Sequence, residues 1–218
     1  MKKIYFFVFV LISTLTIVYF KTIERLLIEN NFSWTISKAL PYFLVVVLGF
    51  ILSYFIYNLA KTKIIKLILS VFVAVLPFII SFIFHPIYEG DFSRVGTSYQ
   101  LKNDNQDFQT VDLVVLTIPG CPFCHESTIY SNKMLLRQPR LKIKYIVCDT
   151  NTREIEPYQK KLNRKISVSL AKDLKLCINI SQGSFPTFVA LKNKKIVEKW
   201  SNDQFGVRAK DFVENFIR

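Results

Sequence analysis

Apolar and polar positions alternate in two different ways along this chain. Over residues 1–84 the apolar residues come in long unbroken runs. Ile4 to Phe20 holds no charge, Ala39 to Ala60 lies between Lys38 and Lys61, and Ile64 to Phe84 is interrupted only by Lys66 near its start. A helix needs about 20 predominantly apolar residues to cross a bilayer, with a lower limit near 17. The runs therefore predict a transmembrane region over 1–84 with three helices, at about 4–20, 39–60 and 64–84. Pro77 falls inside the third helix and is tolerated there. Trp34, in the first loop, is expected at the membrane interface.

Beyond residue 84 the runs shorten and acquire period. Residues 85–107 show no periodicity and read as a linker. "VDLVVLTI", 111–118, is a short β-branched run that reads as a buried strand. Pro119 and Gly120 end it. "HESTIYSNKMLLRQ", 125–138, reads as a helix with Ile129, Leu135 and Leu136 on its apolar face. "LKIKYIVCD", 141–149, alternates as a strand does. Residues 153–176 are charged with recurring apolar positions and read as helix. "TFVALK" and "KIVEKW" flank a short turn, which predicts a β-hairpin. Arg208 to Ile217 reads as a closing helix with Phe212 and Phe216 on one face. The expected class is α/β, a central mixed sheet flanked by helices.

Charge sharpens the membrane reading and weakens another. The chain has 29 Lys and Arg against 16 Asp and Glu. In the first 84 residues the basic groups sit at the ends of the apolar runs. Lys2, Lys3, Lys61, Lys63 and Lys66 would share one side, and Lys21, Arg25 and Lys38 the other. The denser set marks the cytoplasmic face. That predicts a multi-pass protein of the cytoplasmic (inner) membrane, N-terminus inside, with residues 85–218 periplasmic or extracellular. Lys2 and Lys3 also resemble a signal-peptide n-region. The run behind them ends in "TIVYF" without a small-residue cleavage site, so an uncleaved helix is expected. In the second half the basic residues are scattered, without aromatics interleaved to stack bases, so no nucleic-acid partner is expected.

The candidate chemistry lies in "TIPGCPFCHES", 117–127. Cys121 and Cys124 stand where a strand turns into a helix, with His125 directly behind them. Thiolate is the nucleophile in disulfide exchange. A helix N-terminus lowers the pKa of a thiol placed there through its free N–H groups and positive dipole end. Cys121 is therefore the candidate nucleophile and Cys124 the resolving thiol. Pro122 fits the first helical turn, and Phe123 would add apolar contact to a substrate. His125 is a candidate modulator through its charge. Cys-x-x-Cys-His also occurs at haem attachment sites, where His85 or Met134 would have to serve as the second ligand. Zinc would need four ligands, and Cys148 and Cys177 lack the spacing of a second pair. The expectation is no metal and no cofactor beyond a redox-active disulfide. Cys148 and Cys177 are either buried thiols or a second disulfide.

This element order, with Cys-x-x-Cys at the first strand-to-helix junction, resembles the thioredoxin family. "SFPTFVALKNKKIVEKW" strengthens the likeness, because Phe185, Pro186 and Thr187 match the family's apolar residue, cis-proline and threonine ahead of the hairpin. The resemblance spans roughly 108–218. It implies a thioredoxin-like domain there, a cis peptide before Pro186, and a substrate-binding loop formed by Phe185, Pro186 and Thr187. The chain departs from the family at two places. Cys-Pro-Phe-Cys is nearer to glutaredoxins and periplasmic Dsb-type oxidases, and Val115 stands where thioredoxins carry a buried acid. The implied activity is that of an enzyme, a membrane-anchored thiol:disulfide oxidoreductase acting on extracytoplasmic protein cysteines. The spans contain no cysteine, so a separate redox partner is expected. The alternative is a non-catalytic thioredoxin-fold interaction module attached to a membrane or export complex.

Overall fold

The computed structural model describes residues 2–57, 62–92, 108, 110–193 and 195–215. The chain divides into two compact units, Met1–Ile87 and Tyr88–Arg218.

The first unit is helical: α1 (Lys2–Val18), α2 (Phe20–Glu29), α3 (Trp34–Tyr57) and α4 (Lys63–Phe84). With 24 and 22 residues, α3 and α4 extend over about 33–36 Å, enough for a hydrocarbon core of about 30 Å. Both are long and apolar enough to cross a membrane. The first run differs from the single helix expected at 4–20. α1 stops at Val18, and α2 leaves it at 66° as a bent pair that would make a third span only if the two are taken together. The physical cause is polarity. α2 carries Lys21, Glu24, Arg25 and Glu29 within ten residues and buries only Phe20 and Ile28, the composition of an amphipathic surface helix. Small residues let α3 and α4 approach closely. A Cβ on Gly49 would run into the Ala74 carbonyl, and the Ser53 and Ser70 hydroxyls meet across the pair, as small and polar residues do between membrane helices. Trp34, the first residue of α3, is buried. Lys61 lies outside the described residues, as do 58–60 at the end of the second expected span.

The second unit contains, among the described residues, a five-stranded sheet in the order β3-β2-β1-β4-β5. The strands are β1 (Leu113–Thr117), β2 (Ile143–Val147), β3 (Ser167–Leu170), β4 (Thr187–Lys192) and β5 (Lys195–Trp200). β1, β2 and β3 run parallel, while β4 pairs antiparallel with β1 and β5 with β4. The helices are α5 (Glu89–Phe92), α6 (Pro122–Arg137), α7 (Glu156–Lys161), α8 (Leu174–Ser181) and α9 (Val207–Asn215). Every residue of β1 is buried, which explains its continuous apolar run: a central strand is covered on both faces. Val114 and Leu116 face a core that holds Ile146, Ile180, Val189 and Leu191. Each such side chain contributes roughly 1.5–3 kcal/mol. The β1–α6–β2 unit beside the β4–β5–α9 hairpin unit gives the order β2-β1-β4-β5, the thioredoxin-like fold, with β3 added at the β2 edge.

That extra strand corrects the helix expected over 153–176. The segment instead forms a 3-10 turn (Thr152–Ile155), α7, β3 and α8. Ile166, Val168 and Leu170 alternate with Ser167 and Ser169, a two-residue period that aligns with β2 in parallel register. Asp173 then caps α8 by accepting from the Leu176 N–H at 3.0 Å. The linker expected at 85–107 also begins differently. α5 packs on α9: the buried Asp91 accepts from the Tyr88 N–H at 2.9 Å and the Val207 N–H at 3.3 Å. Residues 93–107, and Phe216 and Ile217 of the expected closing helix, lie outside the described residues.

Candidate active site

β1 ends at Thr117, and the chain turns through Pro119 and Gly120, whose φ of +67° is the left-handed region glycine enters freely. Cys121 follows as the N-cap of α6, and Pro122 opens the helix. Cys121 Sγ accepts from the Cys124 N–H at 3.1 Å, so a sulfur takes the place that a Ser or Asp oxygen holds in most caps. Cys121 and Cys124 are disulfide-bonded, with Cα atoms 5.2 Å apart. Cys121 keeps 9 % exposure and Cys124 none. An incoming nucleophile can therefore reach only the first sulfur.

The cis Phe185–Pro186 peptide lies beside this pair. Cys121 Sγ is 4.0 Å from the Phe185 carbonyl oxygen. Pro186 and Thr187 are buried and Phe185 is half-buried. Thr187 opens β4 opposite Leu116, which holds the loop against the end of β1. Phe123 projects outward with 57 % of its surface exposed. A shallow depression of 580 Å³ runs along α6 past Pro122, His125, Ile129 and Asn132 to Lys161.

His125 lies beneath the cysteines with its ring stacked on Tyr158. Its pKa is held below the ordinary imidazole value, first by burial and then by the Lys161 ammonium. A neutral ring supplies no positive charge to a thiolate, so the modulating charge expected of His125 is disfavoured here. Val115 is buried between Tyr145 and Phe188 on the neighbouring strands, and it brings no proton acceptor to the centre.

The inner face of α6 was not legible in its apolar residues. Ile129 and Leu136 point outward, 54 % and 72 % exposed; of the three expected on the core face, only Leu135 is there. Cys124, Ser127, Thr128 and Ser131 hold the rest of that face with Met134. The partner is the phenol of Tyr145 on β2, which lies 3.0 Å from Ser127 Oγ and 2.8 Å from Ser131 Oγ. Ser127 also donates to the Cys124 carbonyl at 2.7 Å. Burial pushes the Tyr145 phenol above its ordinary pKa, so it remains a neutral donor. The i, i+4 spacing of Ser127 and Ser131 was the available signal, since it puts both hydroxyls on one helical face.

Cys148 and Cys177 are not disulfide-bonded and meet on the other face of the sheet. Among the described residues no group of three or more His, Cys, Asp or Glu side chains is arranged to hold a metal ion. Met134 is fully buried in the core, which leaves it no approach to a group carried by His125.

No protein-family model matches the sequence, and no curated protein matches it. Among solved structures, a thioredoxin-like protein from Bacteroides caccae is similar, with 13 % identity, a TM-score of 0.36, and coverage of 91 % of this chain and 76 % of that one. The strand order and connections of the second unit fix its fold.

Proposed function

We propose that the chain is a membrane-anchored thiol:disulfide oxidoreductase that exchanges disulfides with extracytoplasmic protein cysteines. The observation that carries this reading is the placement of Cys121: its sulfur caps α6, bonds to Cys124, and lies 4.0 Å from the carbonyl before Pro186. In the reduced protein a Cys121 thiolate at the helix N-terminus is stabilised by the Cys124 N–H and the helix dipole. It attacks a substrate disulfide, forms a mixed disulfide, and expels one substrate thiolate. Cys124 then attacks Cys121 and releases the second. In the opposite direction, a substrate thiolate attacks Cys121 and expels the Cys124 thiolate; a second substrate thiolate then attacks the substrate sulfur of the mixed disulfide, which closes the substrate disulfide and leaves the pair reduced. Phe123 and the loop of Phe185, Pro186 and Thr187 form the surface that receives the substrate. The three crossings, the cytoplasmic N-terminus and the periplasmic or extracellular second unit belong to the same proposal, as does a separate redox partner that resets the pair.

The test is the reduction potential of the full chain in detergent, read by thiol alkylation in glutathione buffers. A two-electron couple at Cys121 and Cys124, lost in Cys121→Ser together with exchange activity, is expected. A value near about −120 mV would make the protein a disulfide donor, and one near about −270 mV a reductase. If the pair never cycles, the enzyme reading fails and a non-catalytic interaction module replaces it.

A further inference from the structure

The exchange mechanism leaves Cys148 and Cys177 unused, and the fold brings them together from distant parts of the chain. Cys148 is the first residue past β2. Its N–H donates to the Thr117 carbonyl at 2.7 Å, while the Ala171 N–H donates to the neighbouring Val147 carbonyl at 2.9 Å. That second bond draws the start of α8 toward the end of β2. Cys177 sits one turn into α8, 2 % exposed, in the core cluster with Leu116, Ile146 and Ile180; Cys148 packs against the same cluster. The Cys177 thiol is within hydrogen-bonding reach of the Cys148 sulfur; a disulfide would draw the two sulfurs together to about 2.05 Å.

Their exposures are unequal in the useful sense. Cys148 is half-buried and Cys177 buried, so an outside reagent meets Cys148 first and Cys177 reacts only within the chain. The hydrogen bond from Cys177, helped by the Thr117 backbone and opposed by burial, holds the Cys148 thiol below its ordinary pKa. That raises its thiolate fraction at neutral pH.

We propose that Cys148 and Cys177 form a second redox-active dithiol, closed to a disulfide by exchange with a low-molecular-weight disulfide that enters at Cys148. The Cys148 thiolate attacks one sulfur of the reagent, and the mixed disulfide forms as the first reagent thiolate leaves with the proton Cys148 gave up. Cys177 loses its proton and attacks Cys148, and the second reagent thiolate leaves with that proton. Two chain thiols are oxidised and one small disulfide is reduced to two thiols. The new bond ties the end of β2 to α8, the helix whose C-terminal end leads through Gly183 and Ser184 to Phe185 and Pro186. The second pair thus staples the substrate-side loop to β2, the neighbour of the strand β1 that leads to Cys121.

The experiment uses the full chain in detergent with Cys121→Ser and Cys124→Ser, so that only the second pair reports. It is equilibrated with reduced and oxidised glutathione, quenched, denatured and alkylated for mass spectrometry. Expected is one two-electron transition in which both thiols vanish together, with a loss of about 2 Da and a rise in Tm of about 5–10 °C in the closed form. Adding Cys177→Ser should stop the reaction as a glutathione adduct on Cys148, and adding Cys148→Ser should leave Cys177 unmodified. If either variant misfolds, the same bond is sought by peptide mapping of the unsubstituted chain oxidised under the same buffer. Two thiols still alkylated at the oxidising limit, a stable glutathione adduct with Cys177 present, or a disulfide between two copies of the chain would each overturn the proposal.

Discussion

The His125 ring lies 4.7 Å from the Tyr158 ring at an interplanar angle of 24°. Tyr158 is fixed in turn by its hydroxyl, which donates to the Ile118 carbonyl at 2.8 Å. The stack therefore joins the residue after Cys124 to the turn before Cys121, through a tyrosine carried by α7. His125 contributes as a flat, neutral surface, and its Nδ1 is buried without a hydrogen-bond partner among the described residues.

A pH dependence follows. His125 is held below its ordinary value of 6.5, so the unfolded chain binds that proton more tightly than the folded one. As pH falls through about 6.5, the unfolded state takes up the proton first and stability declines, levelling off below the folded value. Thermal unfolding between pH 8 and pH 5 should show this decline. His125→Asn should flatten it, because the variant lacks the imidazole whose proton affinity the fold lowers.

Substitution of the resolving thiol separates the two chemical steps. Cys124 is wholly buried and meets only the mixed disulfide on Cys121. Cys124→Ser should leave the first attack possible and remove the second. Substrates should then accumulate as covalent adducts on Cys121, visible as reductant-sensitive bands on non-reducing gels. Absence of adducts in a folded Cys124→Ser protein would count against Cys121 as the entry point.

The hydroxyl cluster under α6 should be worth measurable stability. Tyr145→Phe removes the group that bridges Ser127 and Ser131 and keeps the ring. Leaving a buried hydroxyl short of a partner costs about 1–3 kcal/mol. Denaturant unfolding should show a loss in that range with an unchanged slope. Phe substitution together with Ser131→Ala should recover part of it, since the orphaned hydroxyl goes too.

What the sequence made legible follows from locality. The junction of β1, Cys121, Pro122 and α6 is written in consecutive residues, and so is the Phe185–Pro186–Thr187 entry to the hairpin. The helix expected at 153–176 hid β3 because a four-residue strand has only two periods to display, and the flanking charges mimic a helical face. The inner face of α6 was misread because its core residues are Ser and Thr. They are accommodated because Tyr145, on β2, pairs with Ser127 and Ser131 while Thr128 donates to the His125 carbonyl. α5 was invisible because its packing depends on Gly206, more than a hundred residues away.

That contact gives a sharper test of the second unit. A Cβ on Gly206 would collide with the Gly90 backbone, and one on Gly90 with the backbone at Gln204 and Gly206. Backbone cannot move aside as a flexible side chain can. Gly206→Ala should therefore push α5 off α9 and break the bond from the Val207 N–H to Asp91. A loss of about 2–4 kcal/mol is expected, in the range of overpacked cores with a lost hydrogen bond. Hydrogen exchange should show faster opening at Val207 while the β1 amides stay protected.

The side of the membrane on which the second unit works can be read from the native cysteines. All four cysteines lie at or beyond position 121, so any thiol labelling reports that unit alone. If α1 crosses and α2 lies along the surface, Lys2 and Lys3 share a side with Lys63 and Lys66, and three crossings put residues 88–218 outside the cytoplasm. If only α3 and α4 cross, both termini share one side, and the lysines between those helices would hold that side outside as well. The two models agree on the second unit and differ on the N-terminus. In intact spheroplasts, a membrane-impermeant maleimide added after mild reduction should label Cys121. A protease cutting from outside should spare an N-terminal tag if three helices cross and remove it if two do. Labelling that needs permeabilised membranes would place the cysteines in the cytoplasm, and the proposed extracytoplasmic substrates would be out of reach.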